Sequence, residues 1–217
     1  IKNFRPVVNY DETVMVFMRS QKFYDAIMYS YKLEGNWVKP ENITPQVGSD
    51  GNMTPSGISE DGTKLLLVKV SDRSGEGDIY FSERKDELWT KAVPLGKNIN
   101  TSRDEAHASF SPDGNTIYFS SDQRGGEGGL DLYHSKKQHD GTWGPPVNLG
   151  PVINTAADET SVFLSADGKT IYFSSRGHFN MGGYDIFYSD LDNQYKWSNI
   201  VNIGYPINTT NDNIFYQ

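Results

Sequence analysis

Apolar residues in this chain stand side by side in short runs closed by glycine, proline or aspartate. Thr116-Ile117-Tyr118-Phe119-Ser120-Ser121 and Thr170-Ile171-Tyr172-Phe173-Ser174-Ser175 are the clearest examples. Consecutive β-branched and aromatic residues over this length predict strands buried on both faces, unlike the alternation of a half-solvated sheet. Around the first example four strands can be traced. His107 to Ser111 is followed by a turn at Asp113-Gly114, and Thr116 to Ser121 by the loop Gly125-Gly126-Glu127-Gly128-Gly129; Leu130 to Ser135, a turn at Asp140-Gly141 and Thr142 to Leu149 complete the unit. Pro145 and Pro146 lie inside the last run, and proline cannot donate to a ladder, so the fourth strand belongs at a sheet edge. No segment sustains apolar residues at i, i+3, i+4 and i+7, and no helix is expected.

The unit recurs. Trp37, Trp89, Trp143 and Trp197 stand 52, 54 and 54 residues apart. A second ruler is the aspartate opening Asp25-Ala26-Ile27, Asp78-Ile79-Tyr80, Asp131-Leu132-Tyr133 and Asp185-Ile186-Phe187. A third is Asp11, Asp61, Asp113 and Asp167, followed by glycine in all but the first copy. Ile-Asn-Thr begins at Ile99, Ile153 and Ile207, with only Ile43-Thr44 in the first unit. The first copy is the degenerate one.

Repeats of about this period, each of four strands, announce the blades of a propeller. The expectation is therefore all-β: one domain over 1–217, a β-propeller of four-stranded antiparallel blades at about 4–50, 51–104, 105–158 and 159–211. Residues 212–217 resemble the start of another first strand, which predicts a ring with more blades than the four visible here.

Composition narrows the function classes. The formal charge of −8 leaves no basic stripe to displace counterions from phosphates, so nucleic acid is not an expected partner. No run approaches the roughly 18 to 20 apolar residues that span a bilayer as a helix, and no membrane insertion is expected. With no cysteine, disulfides, thiolate metal sites and a cysteine nucleophile are excluded.

Ser111-Pro112-Asp113-Gly114 and Ser165-Ala166-Asp167-Gly168, each running into Thr-Ile-Tyr-Phe-Ser-Ser, resemble the WD-like Pro-Asp propeller repeats of TolB-type periplasmic proteins. The longer unit Gly128-Gly129-Leu130-Asp131-Leu132-Tyr133, Trp143, Asn148-Leu149-Gly150, Ile153-Asn154-Thr155 and Asp158-Glu159 resembles the propellers of OmpA-family envelope proteins of Bacteroidetes, some of which accompany the type IX secretion machinery. The resemblance implies a periplasmic or cell-envelope location and a scaffolding or adaptor role with other envelope proteins as partners. Peptidoglycan would be reached only through a neighbouring domain. It carries over no catalytic residue.

Candidate chemistry is thin. Asp104-Glu105 and Asp158-Glu159 pair carboxylates, but a group repeated in every blade serves every blade's turn, whereas a catalytic group is needed once. Too few carboxylates lie between Gly125 and Asp131 for a calcium loop. His107, His134, His139 and His178 lack the spacing of a zinc site, and no Gly-x-Ser-x-Gly elbow exists. No catalytic residue, metal or cofactor is expected, and the chain is not expected to be an enzyme. Arg19, Arg73, Arg124 and Arg176 fall just after successive second strands, where they could clamp carboxylates or satisfy neighbouring acids. His178-Phe179-Asn180-Met181 makes the fourth loop unlike its relatives. Arg73, Arg124, Arg176, His178 and Phe179 are thus the candidate partner-binding residues of a protein-interaction module. The alternative is a carbohydrate-binding or carbohydrate-active propeller, with His107, Ser109, Ser161 and Phe163 lining its axis.

Overall fold

In the computed structural model, which describes residues 2–214, four antiparallel sheets form the blades of a β-propeller. The first holds β1 (Asn3–Val8), β2 (Val14–Ser20), β3 (Asp25–Leu33), β4 (Asn36–Trp37) and β5 (Glu41–Asn42). After a helical turn, α1 (Thr44–Val47), the second holds β6 (Met53–Ile58), β7 (Lys64–Val70), β8 (Gly77–Lys85), β9 (Leu88–Trp89) and β10 (Val93–Pro94). The third is β11 (Glu105–Phe110), β12 (Thr116–Ser121), β13 (Asp131–Lys136) and β14 (Val147–Asn148). The fourth is β15 (Glu159–Leu164), β16 (Thr170–Ser175), β17 (Asp185–Leu191) and β18 (Trp197–Asn202).

The side-by-side apolar pattern of the second strands is explained by what their two faces meet. In β7, Leu65 and Leu67 face the first blade with Val16, Met18, Ile27 and Tyr29, while Leu66 faces the third with Ile117 and Phe119. Leu132 of the third blade meets Ile171, Phe173 and Phe187 of the fourth in the same way. At roughly 25 cal/mol per Å² of apolar surface, a fully buried leucine or phenylalanine contributes about 1.5 to 3 kcal/mol, and the blades bury these residues only against one another. Trp89 packs edge-on against Tyr29 of the preceding blade, its ring centroid 5.6 Å away. Trp37 of the degenerate copy instead lies under the Lys32 ammonium and is 41% exposed.

The hairpin turns explain the Asp-Gly ruler. Asp113 Oδ1 accepts the Asn115 N–H at 3.0 Å and the Ser111 hydroxyl at 2.5 Å; Asp167 does the same with Lys169 and Ser165. Those hydroxyls hold both carboxyls below the ordinary aspartate range. Gly114 and Gly168 follow at φ 67° and 68°, where glycine is unstrained; Glu12 occupies that conformation in the first blade.

The Ile-Asn-Thr ruler is a side chain standing in for a strand residue. Asn154 Oδ1 accepts the Leu132 N–H at 2.8 Å, while its Nδ2 donates to the Leu132 carbonyl at 3.0 Å and to Asn148 Oδ1 at 2.8 Å. Asn100 and Asn208 bracket Ile79 and Ile186 identically. In the degenerate first blade Thr44 keeps only the bond from the Ile27 N–H.

Two expectations need adjustment. The outer strand is whole only in the fourth blade; elsewhere Pro40, Pro94 and Pro145-Pro146 leave two-residue pieces, because each proline removes a donor. A serine of each third strand donates to a carbonyl of the outer segment at 2.6 to 2.7 Å; Ser30, Ser82 and Ser135 do so across the break, and Ser189 does so to the unbroken strand of the fourth blade. The helical turn at Thr44–Val47 was not anticipated; it has Pro45 in its first turn and stops at Gly48 with φ 70°, too short to show a 3.6-residue pattern.

The further strand expected over 212–217 is described only as far as Ile214, where no strand forms; residues 215–217 lie outside the described residues. Asp212 Oδ1 accepts the Tyr184 N–H at 2.9 Å and the Asn213 N–H donates to the Tyr184 carbonyl at 2.6 Å. Asp158 and Glu159 bind Leu130 by the same pair of bonds.

Asn154→Ala strands both backbone groups of Leu132 in the core. Chemical denaturation is expected to show a loss of about 2 to 4 kcal/mol, while a surface control such as Asn193→Ala stays within about 0.5 kcal/mol.

Candidate functional site

Arg73, Arg124 and Arg176 lie in the loops joining second to third strands, whereas Arg19, expected just after its second strand, lies within β2, and the four are placed differently. Arg19 donates its Nε–H to Asn3 Oδ1 at 2.9 Å and lies over the Phe17 ring at 5.3 Å. Arg176 lies 3.8 Å from Asp158 and 3.9 Å from Asp212, with its guanidinium over the Tyr184 ring at 4.3 Å. Arg73 and Arg124 are exposed and form no ion pair with another described residue. The ring of positive charge therefore splits: two arginines are spent within the fold and two remain available.

His178 and Phe179 also part company. The His178 ring packs against Phe173 and Phe187, with centroids 5.7 and 5.3 Å away, and its Nε2 lies 2.9 Å from the Ile153 carbonyl oxygen. Asn180 Nδ2 donates to the Arg176 and Gly183 carbonyls, and the Met181 N–H donates to Asp185 Oδ2 at 2.7 Å. Between these anchors the Phe179 side chain is 96% exposed, with Met181 half exposed beside it in the chain. A pinned loop holding an aromatic ring in water is built for contact: apolar exposure costs solvation, and rigidity lowers the entropy lost on binding.

The glycines of the third loop serve close approach more than flexibility. A Cβ on Gly128 would sit 2.3 Å from the Thr155 carbonyl oxygen, where the loop crosses onto the start of the fourth blade.

The paired acids are structural. Glu159 receives the Thr155 N–H and hydroxyl at 2.7 Å each and the Ser175 hydroxyl at 2.6 Å; Glu105 is bound likewise by Thr101 and Ser121. Asp158 and Asp104 accept N–H groups of the preceding blade. Burial pushes the Glu105 and Glu159 carboxyls up, against the hydrogen bonds they accept. Among the described residues no cluster of three or more histidine or acidic side chains could hold a metal.

At the axis, His107 lines a cavity of about 340 Å³ with Arg5, Val7, Pro55 and Ile214, and burial beside Arg5 pushes its imidazole down to about 4, so it is neutral at pH 7. Deeper in, Tyr10 stacks on Phe163 at 5.5 Å and donates to the Phe110 carbonyl at 3.1 Å, beside Ser109. Among the described residues no carboxylate lines either space. Ser161 is buried in β15 at φ 54°, on the bulge between Thr160 and Phe163.

Solved structures share this arrangement. TolB from Acinetobacter baumannii is 20% identical over 93% of this chain and 43% of its own, with a TM-score of 0.59. A putative TolB from Agrobacterium tumefaciens is 18% identical over 91% of this chain and 63% of its own, at 0.62. The fold is TolB-like. The chain spans less than two thirds of the TolB structures it matches. No protein-family model and no curated protein matches it by sequence.

The TolB-like propeller is not confined to non-enzymes. An α-L-arabinofuranosidase from Lactobacillus brevis, 15% identical over 93% of this chain and 74% of its own, matches at a TM-score of 0.54. The expectation that the chain is not an enzyme is corrected accordingly. The repeat argument behind it speaks only of residues present in every blade, and catalytic groups reside at positions that are not repeated.

Sequence reasoning missed the partners of Arg176. Asp212 repeats Asp158 at a step of 54 residues, so the ruler that marks the start of each blade would have placed an acid on either side of this arginine.

Glu159→Gln keeps an oxygen for Thr155 and removes the charge. Because burial raises the native carboxyl above its ordinary 4.5, the native state holds the proton more tightly than the unfolded chain; the ionisation penalty is absent well below pH 4.5 and complete above the native pKa. Thermal unfolding between pH 4.5 and 8 is expected to show the wild type losing stability relative to Glu159→Gln as pH rises. A difference independent of pH would contradict the shift.

Proposed function

We propose that the chain is a protein-interaction scaffold of the bacterial cell envelope, working in the periplasm and docking another envelope protein through the loops between second and third strands. The observation that carries this reading is Phe179: a fully presented aromatic side chain on a loop that His178, Asn180 and Met181 tie to the fourth blade. Buried aromatic anchors dominate protein interfaces, and uncommitted arginines suit their rims. Arg73 and Arg124 supply such a rim for a partner with acidic residues; Arg176 contributes by shaping the loop. The TolB-like fold and the resemblance of the repeat to OmpA-family envelope propellers support the setting. The finer reading is an outer-membrane assembly of that kind, including the type IX secretion machinery.

Phe179→Ala removes the anchor without touching the core, so stability is expected to stay within about 0.5 kcal/mol. Crosslinking of the purified chain in envelope extract, read by mass spectrometry, is expected to give one dominant partner that Phe179→Ala loses and Phe23→Ala, at another exposed ring, retains. Equal partner recovery by both variants would remove this loop as the docking surface.

A further inference from the structure

The rim between the third and fourth blades holds a groove of about 600 Å³, lined among others by Tyr118, His134, Lys136, Tyr195, Lys196 and Trp197. Its volume is that of a small-molecule site. The repeat supplies an internal control, because the equivalent position between the second and third blades is a pocket of about 240 Å³. By strand register, Phe81 stands there for His134; by turn position, Gly141 stands for Tyr195 and Thr142 for Lys196. Both spaces carry two lysines and the repeat's tryptophan, Lys64, Lys137 and Trp143 in the smaller one; the groove differs in being more than twice as large and in replacing Phe81 and Gly141 by the polar aromatic rings of His134 and Tyr195.

Tyr195 is the telling substitution. Its turn is closed by bonds between Asp192 and Lys196, and Asp192 Oδ1 accepts the N–H groups of Gln194 and Lys196 at 2.7 and 2.9 Å. Gly141 takes φ 83° in the third blade's turn, whereas Tyr195 takes φ 58°, a conformation that costs a side chain roughly 1 to 2 kcal/mol. Packing does not repay that cost, since Tyr195 is 85% exposed. The second blade's turn holds Glu87, also exposed, at φ 68° two residues before its tryptophan, so the left-handed conformation belongs to the turn; what is particular to the fourth blade is that the side chain presented there, beside the groove, is aromatic. Trp197 is half-buried on the groove wall, and Tyr118 and His134 pack together in the groove with ring centroids 5.8 Å apart. Burial, with Lys136 close by, pushes His134 down, leaving a neutral ring that both donates and accepts. Lys136 and Lys196 form no ion pair with a described residue, and no carboxylate of the described residues lines the groove, in a chain that carries −8 overall.

We propose that this groove is a binding site for an acidic saccharide, whose sugar faces stack on Trp197 and Tyr195 and whose carboxylate or sulfate groups are met by Lys136 and Lys196. Aromatic rings provide flat apolar surface for the C–H faces of pyranose rings, and the ammonium groups select the acidic members of that class. The site is distinct from the Phe179 loop, so it stands or falls independently of the docking reading.

Isothermal titration of the whole chain with tetragalacturonate and with a chondroitin sulfate tetrasaccharide tests this, alongside cellotetraose and inorganic sulfate as neutral and ion-only controls. At least one acidic oligosaccharide is expected to bind with a dissociation constant below 1 mM, at least tenfold more tightly than either control. The Lys136→Gln/Lys196→Gln variant is expected to lose tenfold or more and Tyr195→Ala several-fold, with Thr142→Ala in the smaller pocket unchanged. Since Lys136, Lys196 and Tyr195 are exposed, their variants keep the fold, which an unaltered melting curve verifies. Absence of binding by both acidic probes, equal binding of cellotetraose or sulfate, or affinity unchanged in both groove variants would each overturn the proposal.

Discussion

No blade of this protein can bury its own apolar residues. Each second strand is hydrophobic on both faces, so a single sheet in water would expose Leu65 and Leu67 on one side or Leu66 on the other; only a neighbour on each side covers them. Stability therefore resides in the interfaces between blades, and the propeller is the arrangement that supplies them in series. The apolar second strands, the tryptophans and the asparagines that recur every 54 residues or so serve this constraint, while the Asp-Gly turns close the hairpins within each blade. The tryptophans extend the interface outward, as Trp89 does against Tyr29, and the asparagines fix the crossing segment that delivers the chain to the next blade.

The polar residues of the repeat follow from the same geometry. Where the chain leaves one blade for the next, no ladder is available to its backbone groups, and a buried unpaired N–H or C=O costs about 1 to 3 kcal/mol. Asn154, Asp158 and Glu159 meet that demand with side-chain atoms, and the buried serines do the same where proline has broken the outer strand. Carboxylates used in this way are poor candidates for chemistry, because their lone pairs are already committed. Asp131 and Asp185 are partial exceptions: each accepts bonds at Oδ2 while the buried Oδ1 has no hydrogen-bond partner among the described residues.

How far the fold was legible follows from this division. Positions that recur were readable, since four copies of one solution leave a period in the sequence: the strands, the Asp-Gly turns, the edge placement of the outer strand and the degeneracy of the first blade all rest on it. The serine ruler at residues 30, 82, 135 and 189 was equally periodic but went unread, because serine is too common for its spacing to stand out. Pairings across the repeat were not readable. Arg176 follows its second strand directly and Arg124 lies three residues past its own, and only at the first position do Asp158 and Asp212 converge with Tyr184; Arg124 forms no ion pair with a described residue. His178 and Phe179 are neighbours in the chain with opposite fates, set by the depth of Phe173 and Phe187 beneath the loop.

A repeat protein also offers a way to separate folding from function that a single-copy fold does not. Every position comes with up to three controls that solve the same packing problem, so a departure with no structural return is identifiable within one molecule. His178 is a departure with a return: it stands where the third loop has Arg124 and gains a packed ring and a hydrogen bond. Tyr195 is a departure without one: its counterparts are Gly35, Glu87 and Gly141, all with the same left-handed backbone, and it alone places an aromatic ring there and leaves it in solvent. Phe179 belongs with Tyr195. Both lie on the fourth blade, whose loops and outer hairpin have diverged while its strands, turns and asparagine bracket match those of the third. The scaffold constraint holds the strands in place, and that leaves the edges of this blade free to acquire surfaces the other blades lack.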